Sequence, residues 1–254
     1  MLTQQKIEAN RKLYEYYINL FTAYPDLYLD LITPSYDSFS LFFYQRIFIR
    51  ASMRYRYHFC TATRAFSKTF VSVLALILKC IFLPGTKAFV VAPNKSQAAK
   101  NTKEKIVEIY QHFPLLRKEI IGGDISDMPG NFGKDYITLT FKNHSVLDIV
   151  GALDSTRGGR RNAGLIDEVR DHDADALNSV VIPLLNVARR MPNGEVNPYE
   201  PHQAQLYMTS ASMKSTYCYE KLVELFEQEI IDPHSCFVWG TSYQVPMAHG
   251  LISK

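Results

Sequence analysis

Lys68 and Thr69, two adjacent residues suited to phosphate chemistry, end a short loop that begins at Ala62. Their spacing follows the phosphate-binding pattern G-x-x-x-x-G-K-[ST], with Ala62 and Ser67 at the two glycine positions. In that pattern, backbone N–H groups wrap the phosphates, the lysine contacts their oxygens and the hydroxyl ligates Mg²⁺. We therefore interpret residues 62–69 as a deviant phosphate-binding loop.

The sequence on either side of this loop predicts the elements that would position it. The stretch from Tyr55 to Cys60 is rich in aromatic residues and partly alternating, which indicates a strand. The apolar run from Phe70 to Phe82 indicates a buried helix. Strand, loop and helix follow in the order that phosphate binding needs, because a helix N-terminus presents free N–H groups to an anion. Taken alone, Ser-Lys-Thr also fits a helix N-cap followed by a surface lysine.

A second stretch, NAGLIDEVR at 162–170, is a short apolar run that ends in Asp167 and Glu168. This pattern predicts a buried parallel strand that delivers two carboxylates to its C-terminal edge. In nucleotide hydrolysis, the first carboxylate would hold Mg²⁺ and the second would polarise the attacking water. An Asp-Glu pair also ends many ordinary strands, so its position downstream of the Lys-Thr loop is what favours this interpretation.

A third stretch, QLYMTSAS at 205–212, is an apolar run that ends in small hydroxyl residues, Thr209, Ser210 and Ser212. In helicase-like ATPases such a strand lies near the γ-phosphate and senses hydrolysis. The motif is weak by itself and gains weight only as the third of three motifs in order.

Together these motifs resemble the ATPase domain of the large terminase subunit, the DNA-packaging motor of tailed bacteriophages. That family commonly has an arginine four residues before the loop lysine, as Arg64 precedes Lys68, and a coupling motif of the Thr-Ser-Ala type. The matches span roughly residues 44–212, and Ser67 in place of glycine departs from the pattern. Further matches are Tyr44-Gln45 at the adenine-reading glutamine, the strand end Val90-Val91-Ala92-Pro93 with Gln97, the strand Leu165-Ile166-Asp167-Glu168, and the Arg-rich turn 155–161.

The resemblance implies ATP and Mg²⁺ as cofactors and assigns roles by position. It implies Glu168 as the residue that activates water, Arg64 as a catalytic arginine of the same subunit, and Arg157 as one that reaches a neighbour's site. Asp167 and Thr69 would ligate the metal. Thr209, Ser210 and Ala211 would couple ATP hydrolysis to movement of DNA. The nucleotide-binding residues would be Gln45, Ala62, Thr63, Arg64, Ala65, Phe66, Ser67, Lys68 and Thr69.

The element order predicts an α/β fold of the P-loop NTPase (ASCE) type, with a mostly parallel sheet covered by helices on both faces. We expect an antiparallel hairpin within 136–150, a helix at 96–113 capped by Ser96, and a strand at 235–242. The expected organisation is a helical N-terminal segment or lid at 1–50, an ATPase core at 51–245, and the start of a linker at 246–254. The linker would lead to a nuclease domain that is absent, so we expect no nuclease activity.

Composition agrees with this interpretation without deciding it. The chain has 254 residues, a net charge of +3 and four cysteines without metal-ligand spacing. No signal or membrane-spanning pattern is present in the sequence, which predicts a soluble protein of the host cytoplasm. The resemblance implies double-stranded DNA, a portal protein and a small terminase subunit as partners, with the chain in a homo-oligomeric ring on the capsid.

Two other functions fit parts of the same pattern. A superfamily 2 helicase-like DNA translocase shares the loop, the Asp-Glu strand and a similar third motif, but it needs a second motor domain that this chain is too short to hold. A nucleotide-binding scaffold that no longer hydrolyses ATP would explain Ala62 and Ser67. Retention of both Lys68 and Glu168 argues against that loss of activity.

Overall fold

The protein is an α/β structure built on one seven-stranded sheet, and the computed structural model describes residues 4–121, 137–150 and 159–252. The strands are β1 (Tyr57–Ala62), β2 (Lys87–Val91), β3 (Thr138–Thr140), β4 (Val146–Ile149), β5 (Ala163–Asp167), β6 (Ala204–Thr209) and β7 (Cys236–Thr241). The α-helices are α1 (Gln4–Ala23), α2 (Pro25–Ile32), α3 (Phe43–Arg54), α4 (Lys68–Phe82), α5 (Lys95–His112), α6 (Ala174–Ala176), α7 (Tyr217–Ile231) and α8 (Gln244–Ala248). Short 3₁₀ turns cover Pro114–Glu119, Val169–Asp171 and Ile182–Leu185, and a π turn covers Leu177–Val181.

The order of the strands is β3-β4-β2-β5-β6-β1-β7. All neighbouring pairs are parallel except β3 and β4, which form the predicted antiparallel hairpin. The sequence therefore predicted the fold class correctly. None of the helices in the described ranges is long and apolar enough to cross a membrane.

Side chains on the central strands alternate between two hydrophobic layers, one on each face of the sheet. In β6, Leu206 and Met208 join the layer that contains α2 to α5, while Tyr207 joins the layer that contains α7. Because successive side chains of a strand point to opposite faces, strands that are covered on both sides read as continuous apolar runs. This explains why β5 and β6 are buried along their whole length.

Helix α4 is mostly apolar because it is enclosed, although Ser72 and Lys79 are also buried in it. Residues 70–80 are all buried, and the helix lies between the sheet, α3 and α5. This burial fixes the N-terminus of α4 at the end of β1, so the phosphate-binding loop is held by two rigid elements.

Helix α5 begins one residue earlier than predicted, and Ser96 is not its cap. The Asn94 side chain accepts a hydrogen bond from Gln97 N at 3.2 Å and caps the helix instead. Asparagine and serine are similarly good caps, so the helix start could not be placed to a single residue from sequence.

An ion pair with a buried carboxylate joins helix α2 to helix α3. Asp26 on α2 is fully buried, and both of its oxygens lie 2.7 Å from the Arg50 guanidinium on α3. Burial alone would raise the pKa of Asp26, but the hydrogen bonds and charges of Arg50 and Arg46 hold it below its usual value.

His58 on β1 is buried and held neutral by its partners. Its Nε2 accepts from Trp239 Nε1 at 2.8 Å, so the ring proton is on Nδ1, 3.0 Å from Ser52 Oγ. Burial, helped by the charge of Lys79, lowers the pKa of His58 to about 3. A neutral, fully bonded imidazole in the core is structural rather than catalytic.

We predict that the contribution of His58 to stability is complete above pH 6.5 and is lost as the pH falls toward the folded pKa. The lowered folded pKa means that the unfolded state binds the proton first, which costs about 1.4 kcal/mol per pH unit within that window. The measurement is urea unfolding of the wild type and His58→Gln at pH 7.5 and pH 5. The wild type should be the more stable at pH 7.5, and the difference should shrink at pH 5. A difference that is the same at both pH values would contradict the assignment.

Candidate active site

The C-terminal ends of three adjacent strands meet at one edge of the sheet. Strand β6 lies between β1 and β5, and its Met208 is in register with Cys60 on one side and Asp167 on the other. The segments that follow these strands are therefore neighbours. They carry the three motifs predicted from the sequence.

Lys68 connects the three strand ends. Its Nζ donates to the Ala62 carbonyl at 3.1 Å and to Ser210 Oγ at 2.7 Å, and it lies 3.8 Å from Glu168 Oε1. The side chain is only 11% exposed. Because little water screens this ammonium group, its charge can attract an anionic ligand strongly.

Glu168 is held against the segment after β6. Its Oε2 accepts from Ser210 N at 3.3 Å, and its Oε1 accepts from Ser210 Oγ at 3.4 Å. The Ser210 hydroxyl therefore accepts from Lys68 and donates to Glu168, which makes it the link between the loop and the carboxylate. Glu168 itself has a left-handed backbone, with φ of 48°, so the chain turns sharply as β5 ends.

The loop before α4 offers a row of free N–H groups. Within the described part of the chain, the backbone N–H groups of residues 65–70 form no hydrogen bond. They lie at the N-terminus of a helix of 15 residues, where the macrodipole favours negative charge. The loop therefore has the donors that a phosphate group needs.

Two residues of the loop have a strained backbone, and one of them stands at a glycine position of the pattern. Ala65 and Ser67 both have φ of 62°, in the left-handed region that favours glycine. A side chain in this region costs about 1–2 kcal/mol. Ser67, which stands at a glycine position of the pattern, therefore adopts a backbone conformation that favours glycine.

We predict that Ser67→Gly and Ala65→Gly each stabilise the protein by about 1 kcal/mol, because the strain at a positive φ is removed. Ala176→Gly is the matched control, since Ala176 has an ordinary helical φ of −62°. That substitution should lower stability by about 0.5–1 kcal/mol. Denaturant unfolding measures all three. If all three substitutions destabilised the protein, the backbone conformation of the loop would be contradicted.

Asp167 is buried and poorly solvated. Burial and the neighbouring Glu168 raise the pKa of Asp167 to about 6, despite a hydrogen bond from Glu168 N at 3.1 Å and the charge of Lys68. A carboxylate that is costly to ionise gains from a divalent cation. No group of three or more acidic, histidine or cysteine residues in the described ranges could hold a metal alone. This donor set suits Mg²⁺, which commonly takes one or two protein oxygens together with substrate phosphates.

A cavity of about 150 Å³ opens beside the two carboxylates, between β5 and the start of α5. Amide side chains from the α5 side line it together with the acids, and Gln97 is one of them. The polar lining residues are Asn94, Gln97, Asn101, Thr102, Asp167, Glu168 and Asp171. The cavity is large enough for several water molecules beside Glu168.

An aromatic cluster lies on the other side of the loop. The rings of Phe42, Tyr44, Phe66 and His249 follow one another with centroids 4.5–5.7 Å apart. Gln45 is buried within α3, and its Oε1 accepts from Phe42 N at 2.9 Å. Gln45 therefore fixes the start of α3, and its amide nitrogen makes no hydrogen bond with a described residue.

No protein-family model and no curated protein matches the sequence significantly. Among solved structures, the ATPase domain of the large terminase from Thermus phage P74-26 aligns with 13% identity and a TM-score of 0.45, over 76% of this chain and 89% of that one. The large terminase from another thermophilic bacteriophage aligns with 12% identity and a TM-score of 0.50, over 78% of this chain and 45% of that one. This chain shares its fold with the aligned part of that second large terminase. It spans less than half the length of the second terminase.

The fold brings together most of the residues that the sequence singled out. Lys68, Glu168 and Ser210 are in contact, and Asp167 is adjacent to Glu168. Thr209 is buried, and its Oγ1 donates to the Ser210 carbonyl at 2.9 Å. Thr69 lies half-buried in the first turn of α4, next to Lys68. The residues that the sequence predicted for the loop, the metal and coupling thus lie at one edge of the sheet.

Of the two predicted catalytic arginines, Arg64 and Arg157, the structure describes only Arg64. Arg64 is exposed, and its side chain makes no hydrogen bond or ion pair with any residue in the described ranges. Arg157 lies outside the described residues, as does most of the Arg-rich turn. Arg161, at the end of that turn, pairs with Asp148 on β4. Sequence reasoning missed Arg170, whose Nε lies 3.5 Å from Glu168 Oε2. Its position two residues after the Asp-Glu pair was the only available signal.

Proposed function

We propose that this chain is the ATP-hydrolysing motor domain of a viral DNA-packaging terminase, which couples ATP hydrolysis to translocation of double-stranded DNA into a procapsid. The observation that carries this proposal is the contact chain from Lys68 through Ser210 to Glu168 at the end of three adjacent parallel strands. The fold supports the same family, and the activity is argued from the site.

Phosphate binding would fall to the loop at 62–69. Its free N–H groups would cradle the phosphate oxygens, and Lys68 would bridge the β- and γ-phosphates. The Lys68 ammonium group donates to Ala62 and Ser210 in this structure, so a phosphate that recruits it competes directly with Ser210. Gln45 and the neighbouring aromatic cluster would contact the base.

Asp167 and Thr69 would hold Mg²⁺ in this site. When bound, the metal would neutralise charge on the β- and γ-phosphate oxygens. The buried Asp167 carboxylate needs such a countercharge. Lys68 supplies part of it in the arrangement described above.

Glu168 would orient and partly deprotonate the water that attacks the γ-phosphate. Its two oxygens each accept one hydrogen bond from Ser210, which leaves each oxygen able to accept from the water as well. Recruitment of Lys68 by the phosphates weakens the hold of Ser210 on Glu168. In this way Thr209, Ser210 and Ala211 would sense the nucleotide and pass the change to DNA.

An arginine would stabilise the charge that develops on the transferred phosphoryl group, which is commonly worth ~10³–10⁵ in rate. Arg64 is our proposal for the arginine of the same subunit, since its exposed side chain follows the first loop residues. Arg157 is our proposal for the arginine that reaches a neighbour's site in a homo-oligomeric ring. Portal protein and small terminase subunit would be the other partners, and we expect the chain to have no nuclease activity.

The test is phosphate release from ATP with and without Mg²⁺, repeated with linear double-stranded DNA. We expect Mg²⁺-dependent turnover that double-stranded DNA increases. A rate that rises more than linearly with protein concentration would indicate the trans arginine. Binding of ATP without any turnover, with or without DNA, would instead indicate a non-hydrolysing scaffold and overturn the motor proposal.

A further inference from the structure

Arg170 contacts both the Glu168 carboxylate and the segment at 209–216, which holds the proposed coupling residues and is called the coupling segment below. Its Nε lies 3.5 Å from Glu168 Oε2 and 3.4 Å from Asp171 Oδ2, and its Nη1 donates to the Ala211 carbonyl at 3.4 Å. A guanidinium group is a planar fork whose donors can contact several acceptors at once. One cation therefore bridges the end of β5 and the segment that follows β6.

The backbone at Arg170 is anchored by buried neighbours, while its guanidinium is partly exposed. Val169 is buried in the hydrophobic layer that contains α7, and the His172 ring lies 3.0 Å from the Asp167 carbonyl. The Arg170 side chain is 36% exposed, and its contacts are longer than the usual 2.7–2.9 Å of such pairs. Long, partly solvated ion pairs contribute little to stability, so these contacts can be exchanged without unfolding.

Charge balance explains why a cation belongs at this position. Asp167, Glu168 and Asp171 line one cavity. Lys68 and Arg170 are the cations that contact Glu168 within the described ranges. If phosphate recruits Lys68, Arg170 is the remaining cation on Glu168. It is also the remaining side chain, besides Ser210, that joins Glu168 to the segment after β6.

We propose that Arg170 is a positioning residue that couples Glu168 to the backbone of Ala211, so that the nucleotide state at Glu168 reaches the coupling segment. This proposal rests on the proposed function, because it gives Arg170 a part in the same reaction. In the described part of the chain, Arg170 makes no hydrogen bond or ion pair with the phosphate-binding loop. It should therefore act on turnover and on the coupling segment and not on ATP binding.

The experiment is hydrogen–deuterium exchange of the full chain with and without Mg²⁺ and ATPγS, together with steady-state kinetics. It compares the wild type, Arg170→Ala and Arg170→Lys, with Arg190→Ala as a control for loss of a surface arginine. In the wild type, we expect nucleotide to slow exchange in 63–70 and to change exchange in 209–216. In Arg170→Ala, the response in 63–70 should persist and that in 209–216 should be lost.

The kinetic constants should likewise separate an effect on turnover from an effect on ATP binding. We expect Arg170→Ala to lower kcat about tenfold and to leave KM for ATP within about twofold. Arg170→Lys should recover part of kcat, because an ammonium group keeps the charge but makes fewer directed contacts. Arg190→Ala should match the wild type.

Two outcomes would overturn the proposal. The first is an Arg170→Ala variant that keeps both kcat and the exchange response in 209–216. The second is loss of the response in 63–70, which would mean that Arg170 binds the nucleotide itself. Absence of any response in 63–70 of the wild type would instead refute the proposed function, so the two failures are distinguishable. If Arg170→Ala does not fold, Arg170→Lys is used for the test. An exchange response in 209–216 of Arg170→Lys that equals the response of the wild type would then overturn the proposal.

Discussion

Glu168→Gln should bind ATP as the wild type does and hydrolyse it about 10²–10⁴ times more slowly. Glutamine has the same shape and can keep the hydrogen bond from Ser210 N, so the site remains assembled. It cannot accept a proton from water, and it removes the negative charge that lies 3.8 Å from Lys68. Binding of a fluorescent ATP analogue and single-turnover phosphate release measure the two effects separately.

Glu227→Gln is the matched control, because Glu227 is exposed on α7, which packs on the opposite face of the sheet from α4. It should leave binding and turnover unchanged. Turnover by Glu168→Gln within threefold of the wild-type rate would show that Glu168 does not activate water.

Lys68→Ala should lose nucleotide affinity as well as turnover. A hydrogen bond to a charged group is worth about 1.5–3 kcal/mol, so the Kd for ATP should rise about 10- to 100-fold. Turnover should fall further than affinity, because charge on the transferred group increases in the transition state. Removal of Lys68 also leaves Ser210 Oγ without its donor, so the coupling segment should lose its link to the loop.

Lys87→Ala is the control for Lys68→Ala, since Lys87 is exposed at the start of β2, at the opposite edge of the sheet. Titration calorimetry with ATPγS and Mg²⁺ measures both variants. An unchanged Kd in Lys68→Ala would remove the lysine from the phosphate site, whatever happened to turnover.

Much of this site was predictable because its parts are local in sequence. The loop, the Asp-Glu strand and the Thr-Ser strand each combine a buried apolar run with polar residues at the strand end. The C-terminal ends of parallel strands meet at one edge of a sheet, so the contact of Lys68, Glu168 and Ser210 follows from the strand order. Enclosure on both faces explains why the runs were continuous and not alternating.

Other features depend on tertiary structure and could not be predicted. Arg170 reaches Ala211 because Glu168 adopts a left-handed backbone and Val169 is buried, and neither is visible in a single sequence. The aromatic cluster joins Phe42 to His249 across most of the chain. The predicted cap of α5 was wrong because Asn94 and Ser96 are both good caps, and only the contacts of the folded helix distinguish them.

Equilibrium binding of ATPγS to the wild-type chain, with and without Mg²⁺, tests the central claim most directly. The claim is that the loop at 62–69, despite its missing glycines, is a working phosphate site. We predict saturable binding that Mg²⁺ strengthens and that free phosphate analogues weaken. No binding at millimolar nucleotide, by a chain shown to be folded, would contradict both the phosphate site and the proposed motor.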